Sequence, residues 1–277
     1  MRRDSAIGNG LAYALLTAVG LFLILPLVWM VLVSFHPSKA AVPELKDLWP
    51  TAWHGENYAT VLFNKELPVW RFAVNSVVVT ACVVVGQLLV TSLAAYGFAR
   101  LQFRGREFLF SLFLVSMMFA GTVTQIPVYL MVRNLGWLDS YAALIVPGLS
   151  SSFAVFMLRQ FFVQIPMELD EAARMDGASE WTVYRRVVLP LARPALATAA
   201  AFSFFAVWTD FFWPLLSTNS MRMRTLEVGL SVFKNSYGVE NWPLQMTAAV
   251  VTLVPLVVVF LLTQKTFVKG LTVGSIK

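Results

Sequence analysis

The chain has 277 residues, of which 58% are hydrophobic and only 13% charged. Soluble domains carry roughly a quarter charged residues and under half apolar ones, so lipid must be part of the solvent for this chain. The net charge of +6 is scattered at the ends of apolar runs and forms no dense stripe with interleaved aromatics, which argues against a nucleic-acid partner. A single cysteine excludes an internal disulfide framework or a cysteine-based metal cluster.

Six predominantly apolar stretches are long enough, at about 20 residues each, to cross roughly 30 Å of hydrocarbon. The first covers about Leu11 to Val33. Arg2 and Arg3 ahead of it raise a cleaved signal peptide, but the run exceeds a typical h-region and no A-x-A site follows, so a retained helix is expected. A long loop, about Phe35–Trp70, holds Pro37, Pro43, Pro50 and Pro68 and reads as ordered surface rather than a domain. The second span carries no charge between Arg71 and Arg100, and Cys82 within it reads as a small buried packing residue. The third runs from about Phe108 to Val132 and the fourth from about Tyr141 to Leu158. The fifth begins after Pro190 and ends near Leu216; the sixth lies between Glu240 and Lys265, beyond a second long loop at about Thr218–Asn241. These runs are apolar all round, without the period-two alternation of a barrel, so the fold class is an all-α integral membrane protein with six transmembrane helices. The organisation is residues 1–70 as a first helix and external loop, then a five-helix core over 71–277.

Six spans put both termini on one side of the membrane. With that side inside, thirteen Lys and Arg fall inside and eight outside, in the sense of the positive-inside rule. Trp29, Trp49, Trp53, Trp70, Trp213 and Trp242 then cluster towards the outer boundary, where indole rings prefer to sit.

No G-x-x-x-x-G-K-[ST] phosphate loop occurs, so ATP hydrolysis by this chain is not expected. His36 and His54 lack metal-ligand spacing, and no nucleophile elbow or paired intramembrane carboxylates are present. The chain reads as a non-enzyme that binds no cofactor or metal, and any energy for active transport must come from a partner.

Between the fourth and fifth spans, residues 165–190 form a short charged interlude. Pro166 suits a first helical turn, and Glu168, Asp170 and Glu171 complement the helix dipole. Gly177 permits a sharp break, Ser179 can cap a second short helix, Arg185 and Arg186 fall near its end, and Pro190 marks re-entry into the membrane. By periodicity alone an ordinary solvated loop fits equally well.

The composite Glu171-Ala172-Ala173, Asp176-Gly177-Ala178 and Leu189-Pro190 resembles the "EAA" loop of ATP-binding-cassette importer permeases. Trp208-Thr-Asp-Phe-Phe-Trp-Pro-Leu-Leu216 resembles the W-[NT]-[DE]-[FY]-x-W-P-L stretch of carbohydrate permeases, and Thr225-Leu-Glu-Val-Gly-Leu230 the T-L-x-x-G-L that follows it. The tail from Phe267 to Lys277 is similar to that of the G-type permease subunit of maltose and related sugar importers, departing at Ser275-Ile276. The resemblance covers the chain from the second span to its end. It implies a type I importer fold with a cytoplasmic coupling loop at 165–190 and a cytoplasmic tail at 266–277.

The same resemblance implies a bacterial cytoplasmic-membrane assembly with a second, F-type permease chain, two ATPase subunits that bind ATP and Mg, and an external substrate-binding protein. Glu171, Ala172, Ala173, Asp176, Gly177, Leu189 and Pro190 would couple to the ATPase, and Gly270, Leu271, Thr272 and Gly274 would reach it from the tail. Asp210 lies about 20 residues, so roughly 30 Å, beyond Leu191. An ionisable residue there either faces the solute pathway or caps a helix or pairs with another subunit. Gln125, near Thr122, Thr124 and Pro127, is a second pathway candidate, with interhelical hydrogen bonding as its alternative. The expected cargo is a sugar or oligosaccharide, with glycerol-3-phosphate or a related polyol phosphate as the alternative.

Overall fold

The computed structural model describes residues 2–38, 44, 48–64, 67–119, 121–237 and 241–272, and every regular element among them is helical. Four stretches are long and apolar enough to cross a membrane: Ala12–Ser34, Val69–Arg100, Tyr141–Gln164 and Trp242–Gln264. Two bent helix pairs, Arg106–Ser116 with Gly121–Asn134 and Glu180–Leu191 with Arg193–Trp208, bring the number to six if each pair is one span.

The chain divides into two compact units, Met1–Trp70 with Gly229–Val254, and Arg71–Val228 with Pro255–Lys277. In the first, α1 (Arg2–Ser34) ends against α2 (Glu56–Leu62). The buried Asn57 amide donates to the carbonyls of Ser34 and His36, both at 2.8 Å, and the Ser34 hydroxyl meets Tyr58 Oη at 2.8 Å. Phe35, Trp53 and Tyr58 pack ring to ring beside them. A loop of this composition stays folded because its amide satisfies the carbonyls left open at the end of α1.

The second unit is built around α3 (Val69–Arg100), α4 (Arg106–Ser116), α5 (Gly121–Asn134), α6 (Tyr141–Ile145) and α7 (Ser152–Gln164). The apolar run expected as one helix from Phe108 to Val132 is two. Ser116 turns its hydroxyl back onto the Phe113 carbonyl (2.7 Å) and meets Ser152 Oγ (2.8 Å), and the restart falls on Gly121 and Thr122, both weak helix formers. Between α6 and α7 a 3₁₀ turn at Val146–Leu149, with Pro147 in its first positions, interrupts the fourth run. Gly148 sits there because a Cβ would lie 3.0 Å from Val83 Cγ1 of α3. Asp139, at φ 59°, accepts from the N–H groups of Asn219 and Ser220 (2.9 Å each) while its own N–H donates to Ser217 O (2.8 Å), tying two loops together.

One packing expectation is corrected: Cys82 is exposed on α3, not buried. Trp213 is buried, and its indole N–H donates to Ala143 O at 2.9 Å.

Candidate functional site

Residues 165–190 fold as two short helices packed onto the Arg100 end of α3. Pro166 pushes Ile165 out of the helical region, so α7 stops at Gln164. Helix α8 (Glu168–Met175) then presents two faces. Asp170 is fully buried and Ala173 and Arg174 are half-buried, whereas Glu168, Glu171, Ala172 and Met175 are exposed, the spacing of one helical stripe. The helix closes in a Schellman motif: Ala178 N–H donates to Ala173 O (2.9 Å) and Gly177 N–H to Arg174 O (3.0 Å). That closure places Gly177 at φ +82°, a left-handed conformation that costs a residue with a Cβ about 1–2 kcal/mol. Asp176 is the exposed residue just before it.

Ser179 caps α9 (Glu180–Val183) by accepting from Thr182 N–H at 3.4 Å. A π-turn at Tyr184–Val188 follows, with Leu189 N–H donating to Tyr184 O five residues back. The wide turn makes room for Pro190, whose ring would clash with the carbonyl four residues earlier in an α-helix. Leu189 packs half-buried against the core and Pro190 is exposed. After α10 (Leu189–Leu191) the chain bends by 78° into α11 (Arg193–Trp208).

The buried side of this segment is held by a polar network absent from the sequence reading. Arg100 Nε lies 3.3 Å from Asp170 Oδ2, with both side chains almost wholly buried, and its Nη2 donates to Ile165 O at 2.7 Å. Tyr96 Oη donates to Glu180 Oε2 (2.7 Å), which Arg174 also grips in a bidentate pair at 2.7 and 3.2 Å. Burial pushes the Asp170 carboxyl above its ordinary range, with Arg100 and Arg174 opposing, and the Glu180 bond raises Arg174. Ser92 Oγ and Tyr184 Oη meet at 2.8 Å, and Tyr184, Leu158, Phe162, Val183 and Val188 share one core with α3. The signal for Asp170 was its place on the inward 170/173/174 stripe of α8; nothing local pointed to Arg100.

The same unit forms a half-open cavity of about 280 Å³ near the other end of α3. Ser76, Thr80 and Val83 of α3, Thr124 and Gln125 of α5, Gly148, Asp210 and Thr225 are among its walls. Asp210 and Gln125, singled out separately in the sequence, thus line one space. Pro214 cannot continue α11, so the chain breaks after Trp208 and restarts as α12 (Phe212–Ser217), and Asp210 Oδ1 accepts from Phe212 and Trp213 N–H at 3.1 and 3.2 Å across the break. The capping alternative for Asp210 therefore holds together with its place in the cavity wall. Gln87 closes the cavity's neighbourhood, donating to Gly148 O (2.9 Å) and accepting from Ser203 Oγ.

Of the tail residues, Gly270, Leu271 and Thr272 belong to the end of α14 (Trp242–Thr272), and Gly274 lies outside the described residues.

A family described as binding-protein-dependent transport system inner membrane component matches residues 87–273, well over half of the chain. The chain belongs to this family. The arabinooligosaccharides transport system permease protein AraQ of Halalkalibacterium halodurans is 32% identical over 271 residues, covering 96% of this chain and 95% of that protein. The trehalose/maltose transport system permease protein MalG of Thermococcus litoralis is 34% identical over 257 residues (91% of each), and the sn-glycerol-3-phosphate transport system permease protein UgpE of Brucella abortus 30% over 277 residues (98% of each). A crystal structure of a bacterial ABC transporter involved in the import of the acidic polysaccharide alginate superposes with a TM-score of 0.81 at 25% identity, over 95% of this chain and 97% of that one. The fold of this inner-membrane permease is therefore that of an ABC importer permease, and the chain is a membrane transport subunit.

Proposed function

We propose that the chain is one permease subunit of an ATP-driven, binding-protein-dependent importer carrying a sugar or oligosaccharide across the bacterial cytoplasmic membrane. In this reading the six apolar stretches are six spans, both termini are cytoplasmic, and the Arg100 end of α3 lies inside. The partners are an F-type permease, two ATPase subunits that hold the ATP and Mg, and an external binding protein. The observation that carries the reading is the two-faced segment 165–190. Its outward stripe offers Glu171 and Ala172, an acid beside a residue small enough for close approach, while its inward stripe is clamped to α3 and Ala173 packs below. Asp176–Gly177 sets the angle of this docking helix, and Leu189–Pro190 returns the chain to the membrane.

Rigid-body movement of the ATPases on binding ATP would carry α8, and α3 with it, to switch access to the cavity lined by Asp210 and Gln125. A decisive population switch requires roughly 5 kcal/mol of differential stabilisation. The tail residues Gly270, Leu271, Thr272 and Gly274 would add a second contact to the ATPases. The Brucella relative favours a second cargo, glycerol-3-phosphate or a related polyol phosphate.

Glu171→Lys tests the coupling role: it reverses charge on an exposed face and should abolish uptake while membrane abundance stays unchanged. Uptake at the wild-type rate would refute the docking assignment.

A further inference from the structure

The cavity leaves polar groups unfilled inside an apolar bundle. Thr225, which opens the T-L-x-x-G-L run, is only 6% exposed and lines the cavity, and its Oγ1 has no hydrogen-bond partner among the described residues. Gln125 Oε1, on the same cavity, is buried and likewise without a partner among them. Buried hydroxyls and amides are paired in the large majority of cases, so two such groups facing one space mark a place where water or a ligand completes them.

The chemistry of the walls selects among ligands. Gln125 Oε1 can only accept, the Thr225 hydroxyl can donate or accept, and Asp210 presents a carboxylate whose Oδ1 already takes two backbone N–H groups. Such walls are rich in acceptors and suit a ligand rich in O–H donors. Among the described lining residues Asp210 is the one ionisable residue, and none of them is a Lys, Arg or His that could offset a second negative charge. A phosphate ester or uronate would face the Asp210 carboxyl with no cation among the described lining residues to offset its own charge. The volume, near the lower end of the roughly 300–1,000 Å³ typical of ligand pockets, suits one sugar unit rather than a whole oligosaccharide.

We infer that this cavity is a solute subsite for a single uncharged, hydroxyl-rich sugar unit, contacted by Thr225 and Gln125, and that it discriminates against phosphorylated and uronate cargo. The inference rests on the transport reading above and adds to it a contact residue, Thr225, and a charge rule for the cargo.

The test uses the complete importer in proteoliposomes with its own binding protein outside and ATP inside. Labelled maltose, trehalose and arabinotriose are compared with sn-glycerol-3-phosphate and an alginate trisaccharide. The wild type should take up at least one neutral glycoside and neither anion. Thr225→Val, which keeps the shape and removes the hydroxyl, and Gln125→Met should each lower that uptake roughly 2- to 10-fold, the loss of one hydrogen bond to a neutral group. Thr225→Ser should stay within about twofold, and membrane abundance should match the wild type in all three variants. Uptake of a neutral glycoside at the wild-type rate by both Thr225→Val and Gln125→Met would overturn the subsite and leave the transport reading intact, water alone filling the cavity. Uptake of an anionic probe would overturn the charge rule. If the wild type carries none of the five probes, the carbohydrate reading falls and this inference falls with it.

Discussion

Replacing Arg100 by Met strands Asp170, whose side chain is 0% exposed and which has this guanidinium as its nearest counter-charge at 3.3 Å. The stranded carboxylate escapes by taking a proton. Holding an aspartate protonated at pH 7, about three pH units above its ordinary titration, costs about 4 kcal/mol, and about 1.5 kcal/mol at pH 5. The first figure agrees with the roughly 3–5 kcal/mol seen when one partner of a buried pair is removed. The sign follows from the direction of the shift. A carboxyl raised above its unfolded value destabilises at high pH, and the penalty disappears as pH falls towards the unfolded value. Burial already raises Asp170 in the wild type, with Arg100 and Arg174 opposing; removing Arg100 raises it further. The Arg100→Met deficit should therefore shrink between pH 7 and pH 5, leaving mainly the lost bond to Ile165 O, about 1.5–3 kcal/mol. The apolar double variant Arg100→Met/Asp170→Leu should recover most of the loss at pH 7. Thermal unfolding in detergent, followed by tryptophan fluorescence at both pH values, reads this out at roughly 2–4 °C per kcal/mol. A deficit equal at pH 5 and pH 7, or a double variant no more stable than Arg100→Met, would refute the reasoning.

A Cβ at Gly177 meets no atom within 4 Å, so the main penalty of Gly177→Val is the left-handed backbone, more than the about 1–2 kcal/mol of an unbranched residue. Cellular uptake should drop at least tenfold at constant membrane abundance, with Gly177→Asn retaining most of it; a Val variant as active as wild type would show that the turn is not required. Asp139→Ala loses two N–H partners and places a Cβ-bearing residue without a polar side chain at φ 59°, for roughly 2 kcal/mol at pH 7. Burial pushes the Asp139 carboxyl up, but the N–H groups of Ser220 and Asn219 outweigh it and hold it below the usual range. Its contribution is thus full at neutral pH, and the deficit measured by thermal unfolding should fade as pH drops to about 3. Truncation after Phe267 should leave basal ATP hydrolysis intact and abolish its stimulation by loaded binding protein; retained stimulation would remove the tail from the coupling scheme.

What was legible in the sequence follows from the range of the physics. The apolar stretches were legible because the lipid requirement acts on composition, and the Gly177 turn and Ser179 cap because they are closed by neighbours in the chain. Pro190 marks a break for the same local reason, whereas the break between Trp208 and Phe212 falls inside the fifth span, which read as continuous to near Leu216. The break after Ser116 has no proline, and its partner Ser152 is 36 residues away, so the third run read as one helix. Arg100 and Asp170 are 70 positions apart and looked like a loop cation and a dipole-matching acid. Cys82 was misplaced for a subtler reason. On a helix apolar all round, hydrophobic periodicity cannot tell the lipid face from the packed face, but polar residues can, because they turn away from lipid. On α3 the buried polar residues Ser76, Thr80, Gln87 and Thr91 recur with Val83 at intervals of three or four, and Cys82 lies off that stripe. Ser76 and Thr80 line the cavity, Gln87 holds Gly148 beside it, and a further turn on, Ser92, Tyr96 and Arg100 grip segment 165–190. One helix thus joins the cavity to segment 165–190, and in the proposed coupling scheme its polar residues, set at intervals that helical geometry makes neighbours, would carry movement at one end to the other.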